Sequence, residues 1–362
     1  MLKFRSVFFA VLFSLLFGAF LHGADDGHLL VSPSLLRSAD LSIDWQQELV
    51  LKGGEKISRL FLNEGRVYAF TDQNYFYCLS GDDGSIGSSK QLVRPSGTVG
   101  EFYPYKNQLY TIYNGSDLVS LDADIFIEGF KSGLKFNAVG RPVTNGSYFY
   151  IAGRDNRLHV LRGSDRVQLF EAMAPSEGAI NNISVFEDTV LFATEAGDLV
   201  SMASLRPTER WNFKAELGNI GAVYRDGNYV YFASSDMNVY KINGYTGVLQ
   251  WKRQMDGLPE GGPVVMSKVY QEVKGNGVAA VDKVSGQLDW QEKDAVSVLC
   301  EFGPKVYLMM VDGRIGVVDN RKGKIVDTVE AGGVDIWAVN TSDGRLYVGS
   351  ERGKIVCISP SR

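Results

Sequence analysis

A chain of 362 residues with 45% hydrophobic and 22% charged residues has globular composition, and length for one large closed β architecture or two domains. Its 37 basic and 42 acidic residues give a net charge of −5, which provides no basic footprint for nucleic acid. The 40 glycines, 17 tyrosines and 20 phenylalanines lean towards β structure.

The N-terminus reads as an export signal. Lys3 and Arg5 precede an apolar run from Val7 to Phe20, followed by small residues and Asp25-Asp26. Residues 1–24 are therefore expected to be a signal peptide, retained as an anchor if it is not cleaved. No cysteine lies beside the signal, so no lipid anchor is evident. Residues 25–41, with Leu29, Leu30, Leu35 and Leu36 among polar residues, read as a linker or a loosely docked segment. The remainder, 42–362, reads as one domain.

That domain is a repeat. Phe76, Leu118, Leu158, Leu199, Val239, Val278, Ile315 and Ile355 recur at intervals of 37 to 42 residues. Eight residues before them stand Tyr68, Tyr110, Tyr150, Leu191, Tyr231, Tyr270, Tyr307 and Tyr347. Glycines follow eight residues after four of the anchors, at Gly84, Gly247, Gly286 and Gly323. Aromatics follow twelve residues after five of them: Phe130, Phe170, Trp211, Trp251 and Trp290.

Each unit reads as four short strands with alternating apolar residues and tight turns. In "GNYVYFASSDMNVYKINGYTGVLQWKRQM" one strand ends near Tyr231, a second follows the turn at 234–238, and a third carries Trp251. A more apolar strand precedes each tyrosine. Four strands per forty residues, eight times over, predict an all-β, eight-bladed β-propeller. The last unit lacks its aromatic outer strand, whereas the segment "LSIDWQQELVL" around 42–52 carries Trp45 and has no unit of its own. It should complete the last blade, because an open ring leaves strand edges unpaired.

The units "NGYTGVLQW" (243–251) and "DKVSGQLDW" (282–290) resemble the PQQ-type propeller repeat, as do the strands "VYFASSDMNVYKI" and "LYVGSERGKIVCI". The resemblance runs from Trp45 to Pro360 and extends to two branches. One holds quinoprotein dehydrogenases, with pyrroloquinoline quinone and calcium at the ring centre. The other holds non-enzymatic propellers, including the BamB family of periplasmic outer-membrane assembly factors. Size and the closing N-terminal strand look more like BamB, although the lipobox cysteine of bacterial BamB lipoproteins is missing. No adjacent Cys-Cys pair, common in the dehydrogenases, is present.

The repeated aromatics read as blade packing, since a ligand site would break the symmetry that they keep. This applies to Trp45, Phe130, Phe170, Trp211, Trp251 and Trp290, and to the seven tyrosines, whose hydroxyls should bond locally. Trp337 departs from the pattern; it lies on an inner strand and reads as core rather than channel-facing. Asp122, Asn243, Asp282 and Asp319 open turns, where they cap their own backbone two residues on, in preference to binding calcium. His159 stands on a strand without a partner at metal spacing. Cys78 and Cys357 fall in neighbouring blades, too far apart for a disulfide on ordinary blade spacing, and read with Cys300 as buried thiols.

No catalytic, cofactor or metal residues are assigned, and no cofactor is expected. The resemblance implies a non-catalytic exported scaffold for protein–protein interaction, BamB-like, with a place in outer-membrane protein assembly. It would be periplasmic or outer-membrane-associated, monomeric, without nucleic acid, and in peripheral membrane contact at most. The alternatives are a carbohydrate- or surface-binding propeller and, behind it, a PQQ-dependent dehydrogenase.

Overall fold

The computed structural model describes residues 29–361. The signal read at 1–24 and the first residues of the segment that follows lie outside this range. Among the described residues no helix is long and apolar enough to cross a membrane.

The strands form eight four-stranded antiparallel sheets. Seven are meanders in chain order, blades 1 to 7, over 57–91, 103–133, 138–172, 180–214, 219–254, 259–292 and 295–330. Blade 8 is composite. Ile336–Ala338, Leu346–Gly349 and Lys354–Pro360 supply three strands, and Leu41–Glu48 adds the outer one. That strand pairs from Leu41 opposite Pro360 to Glu48 opposite Lys354, so the expected closure is present and ends a few residues before 52.

The repeat marks the deepest positions. All eight anchors, from Phe76 to Ile355, are completely buried on the third strands. The tyrosines lie on the second strands, each opposite the residue two past the anchor, with Tyr110 half-buried and the other six at most 3% exposed. A strand pair this apolar must be covered on both faces, and the adjacent blades do so.

Four of the covering contacts follow one plan. Trp45, Trp211, Trp251 and Trp290 project from outer strands onto the turn between the third and fourth strands of the next blade. Their indole N–H groups donate to Gly81 (2.9 Å), Gly244 (3.2 Å), Lys283 (3.4 Å) and Asn320 (2.8 Å) carbonyls, each five residues past that blade's anchor. The repeated glycines lie under those rings. A Cβ on Gly247 would stand 2.8 Å from Trp211, and one on Gly286 2.7 Å from Trp251; Gly84 and Gly323 meet Trp45 and Trp290 likewise. All four glycines also have positive φ, so the turn and the ring make the same demand.

Four of the seven tyrosine hydroxyls, expected to bond locally, reach the next blade, and Tyr150 also accepts from Asn145 of its own blade. Tyr68 donates to the Ala123 carbonyl (3.0 Å), Tyr150 to Ser204 (2.9 Å) and Tyr347 to Gly81 (3.5 Å), each in the next blade. Tyr270 donates to the Asn320 side chain (2.9 Å), again across the interface. The ring is long enough to pass its own blade's surface, so the hydroxyl emerges beside the neighbour's turn.

Residues 29–41, expected to be a linker or loosely docked, are packed instead. Pro33–Ser38 form a short helix, α1, whose Leu36 is fully buried with Val31 and Ala39 against Val329 and Ala331 of blade 7. Cys78, Cys300 and Cys357 are free and buried. Burial pushes the Cys78 thiol up to about 11 and the Cys357 thiol up to about 12.

Replacing Trp45 by alanine empties the contact that joins blade 8 to blade 1. We expect urea denaturation to show a loss of about 3–5 kcal/mol, with Trp45→Phe losing clearly less. A loss for Trp45→Ala as small as that of an exposed surface substitution would show that the ring does not depend on this contact.

Candidate functional site

The first strands of adjacent blades run beside one another, blade 8 with 1, 2 with 3, and onwards to 6, which makes them the innermost layer. Their side chains are less uniformly buried than those of the second and third strands, so the ring centre is where the repeat leaves room for chemistry.

Two cavities lined by first-strand residues open at the end where these strands begin. The larger, about 440 Å³, lies between blades 8, 1 and 2. Leu60, Phe61, Phe102, Ile336 and Trp337 give it apolar walls, and Arg59, Glu101 and Asp335 stand exposed at its edge. The second, about 280 Å³, shares Glu101 and is lined by first-strand residues of blades 3 to 5, including Arg141 and Asn182. Trp337, read from sequence as core, is half-buried and forms part of the larger cavity's wall. The short Ile336–Ala338 strand ends too early to cover it.

Charge at this site is unspent. Arg59 lies over the Phe70 ring at 5.1 Å, and neither it nor Glu101 has an ion-pair partner among the described residues. Asp335 accepts the Glu351 backbone N–H at 3.2 Å. On the second strand of blade 6 Glu272 stands opposite Glu260 of the first, and burial raises its carboxyl above the ordinary glutamate range, with Ser297 opposing the shift.

The residues singled out in the sequence do not converge on a centre. The six outer-strand aromatics and seven tyrosines are spread around the ring over the interfaces between blades, without gathering at any one of them. Asp122, Asn243, Asp282 and Asp319 each accept two backbone N–H groups two and three residues on, which is the turn geometry expected. No group of three metal-ligating side chains occurs among the described residues. His159 has partners that the sequence did not reveal. It stacks on Phe136 at 3.6 Å, and its Nε2 lies 3.1 Å from Asp155, the carboxylate across its own turn.

A family model described as outer membrane protein assembly factor BamB, PQQ_2, matches residues 171–295. That span covers blades 4 to 6, where the tryptophan-and-glycine contact occurs in consecutive interfaces. Residues 171–295 are therefore similar to PQQ-type repeats of that description, within a ring of eight blades. Among solved structures it is similar to BamB from Moraxella catarrhalis, at 13% identity and a TM-score of 0.68, over 88% of this chain and 97% of that one. It is similar also to the computationally designed Ika8 protein, at 13% identity and a TM-score of 0.67, over 86% and 99% of the two chains. Identities this low speak for the fold. No curated protein sequence matches. The cavities lie at an end of the ring where no repeated motif lies, so the repeat by itself offers no signal for Arg59, Glu101 or Asp335.

Glu272 provides a pH test beside the inner layer. Its raised folded pKa means that burial costs stability when it is charged, above its folded pKa, and costs little below the ordinary glutamate value. We expect Glu272→Gln to stabilise the protein at pH 7 to 8 by about 1 kcal/mol, a gain that vanishes near pH 4. Parallel thermal-melt curves across pH would refute this.

Proposed function

We propose that this chain is a non-catalytic, exported scaffold that binds protein partners in outer-membrane protein assembly, as the described role of the matching family suggests. The observation that carries the proposal is a rim of exposed aliphatic side chains. At or beside the turn between third and fourth strands, every one of blades 1 to 7 presents one or more, such as Ile86, Ile127, Val167, Leu205, Val248, Val284 and Val326. Val284 is 82% exposed and Leu205 61%, which is unusual for such residues and typical of surfaces that meet a partner.

The outer strands beside this rim leave one edge unpaired, as the last member of each four-stranded order. An extended polypeptide can add to such an edge through main-chain hydrogen bonds, with the exposed aliphatic residues gripping alternate side chains. The second and third strands are deeply buried, so the ring is a stiff frame on which these edges are held. The same family of repeats includes quinone-dependent dehydrogenases. The symmetric use of the aromatics in packing supports the scaffold reading over that one.

Affinity capture from bacterial envelope extracts tests the proposal. We expect the tagged chain to recover a component of the outer-membrane assembly machinery. The double substitution Leu205→Glu with Val248→Glu should reduce recovery about tenfold or more at unchanged melting temperature. Recovery of no such component would overturn the assembly role. Dye reduction on addition of pyrroloquinoline quinone and Ca²⁺ would overturn the non-catalytic one.

A further inference from the structure

The cavity between blades 8, 1 and 2 lies at the opposite end of the strands from the aliphatic rim. Each blade is an antiparallel meander, so the start of its first strand and its third-to-fourth turn fall on opposite faces. Whatever the cavity takes need not be the partner of the rim.

Its volume, about 440 Å³, lies in the range of small-molecule sites, about 300–1,000 Å³. Five apolar side chains form the walls, and the two aromatic faces, Phe61 and Trp337, are only half-covered by protein. Three charged groups stand around these walls. Arg59 is held over Phe70 but meets no carboxylate, Glu101 meets no cation among the described residues, and Asp335 is engaged by one backbone N–H. Two unpaired charges of opposite sign beside one apolar cavity match a ligand that carries both.

The other ligand classes fit less well. A phosphate or dicarboxylate needs a second cation, and Arg59 is the one basic residue in the lining. A sugar could hydrogen-bond both charged groups but would set hydroxyls against Leu60, Phe102 and Ile336 and bring neither charge a counter-charge. A plain hydrocarbon would desolvate the charges and return nothing for them. An apolar zwitterion meets every group, with a carboxylate on the Arg59 fork, an ammonium towards Glu101 and Asp335, and a ring against Trp337 and Phe61.

We infer that this cavity binds a free aromatic α-amino acid, through Arg59 on its carboxylate and Glu101 on its ammonium. The inference does not rest on the assembly role, and the capture experiment can fail without touching it.

Isothermal titration of the full chain tests it, with four ligands: L-phenylalanine, 3-phenylpropionate, phenethylamine and maltose. Phenylalanine should bind at one saturable site, and removing either of its charged groups should weaken binding about tenfold or more. Arg59→Met should weaken phenylalanine and 3-phenylpropionate but leave phenethylamine unchanged. Glu101→Gln should weaken phenylalanine and phenethylamine but leave 3-phenylpropionate unchanged. Both residues are exposed, so the melting temperature should hold. Trp337→Leu should weaken all three aromatic ligands, and if it does not fold, the two charge variants still decide the matter. The inference is overturned by the absence of saturable heat up to about 10 mM phenylalanine. Binding of maltose in place of phenylalanine, or phenylalanine binding that ignores both charge substitutions, would overturn it equally.

Discussion

Everything in this ring depends on one demand, that each blade's two faces be covered by its neighbours. The tryptophan contact meets it with unequal terms. A buried indole removes about 150–250 Å² from water, which at about 25 cal/mol per Å² gives roughly 4–6 kcal/mol gross. The N–H bond to the neighbour's carbonyl adds about 1 kcal/mol net. Area therefore supplies the stability and the hydrogen bond supplies direction, fixing which turn each ring meets. The glycine beneath supplies neither; it vacates the space that the ring occupies.

The volume of that slot is kept more strictly than the residues that fill it. Between blades 1 and 2 the outer strand has Ser88 where others have tryptophan, and the turn has Phe126 where others have glycine. Phe126 is fully buried, with its ring 4.7 Å from Phe76, so the aromatic comes from the opposite side. Between blades 2 and 3 the turn residue is Arg166, which lies over Phe130 at 4.5 Å. Between blades 7 and 8 the turn is interrupted by the chain ends. There Asp40, with positive φ like the turn glycines, precedes the closing strand, while Leu36 of α1 provides bulk. Lys305 of blade 7 reaches Asp40 at 3.2 Å, much as Arg345 of blade 8 reaches the blade 1 turn at the Gly81 carbonyl.

The repeat made the architecture legible because packing in a ring is periodic, and periodic packing leaves periodic residues. Trp251 and Gly247 belong to two different interfaces, yet their spacing is fixed because both lie on one hairpin. Ser88 and Phe126 fall at the same offsets but were passed over, because only as a pair across the interface do they make sense. Tyr68 and its counterparts were read as buried, but which blade received their hydroxyls depends on the lateral reach of a ring, which spacing cannot show. The candidate site was the least legible part. Trp337 was visible as an exception, whereas Arg59, Glu101 and Asp335 come from blades 1, 2 and 8 and are ordinary surface residues until closure brings them together. α1 was missed because six residues carry no helical period worth reading, and its stability comes from the face that it covers.

The seam in blade 8 has a consequence for how the molecule comes into being. The strand Leu41–Glu48 is among the first parts of the described chain to be made, and its partner, Lys354–Pro360, is the last. Until that partner exists, the Trp45 strand is an unpaired, apolar-faced ribbon, and the blade 1 turn that receives Trp45 is bare. No amount of early folding can relieve this, since the missing half has yet to be synthesised. When it arrives, Ser361 donates its N–H to the Asp40 carbonyl at 2.7 Å, so the start of the closing strand and the end of its partner finish one hydrogen bond apart. The native ring is in effect a loop with a single cut, and the backbone has no memory of where that cut was placed beyond the order in which the ribosome delivered it.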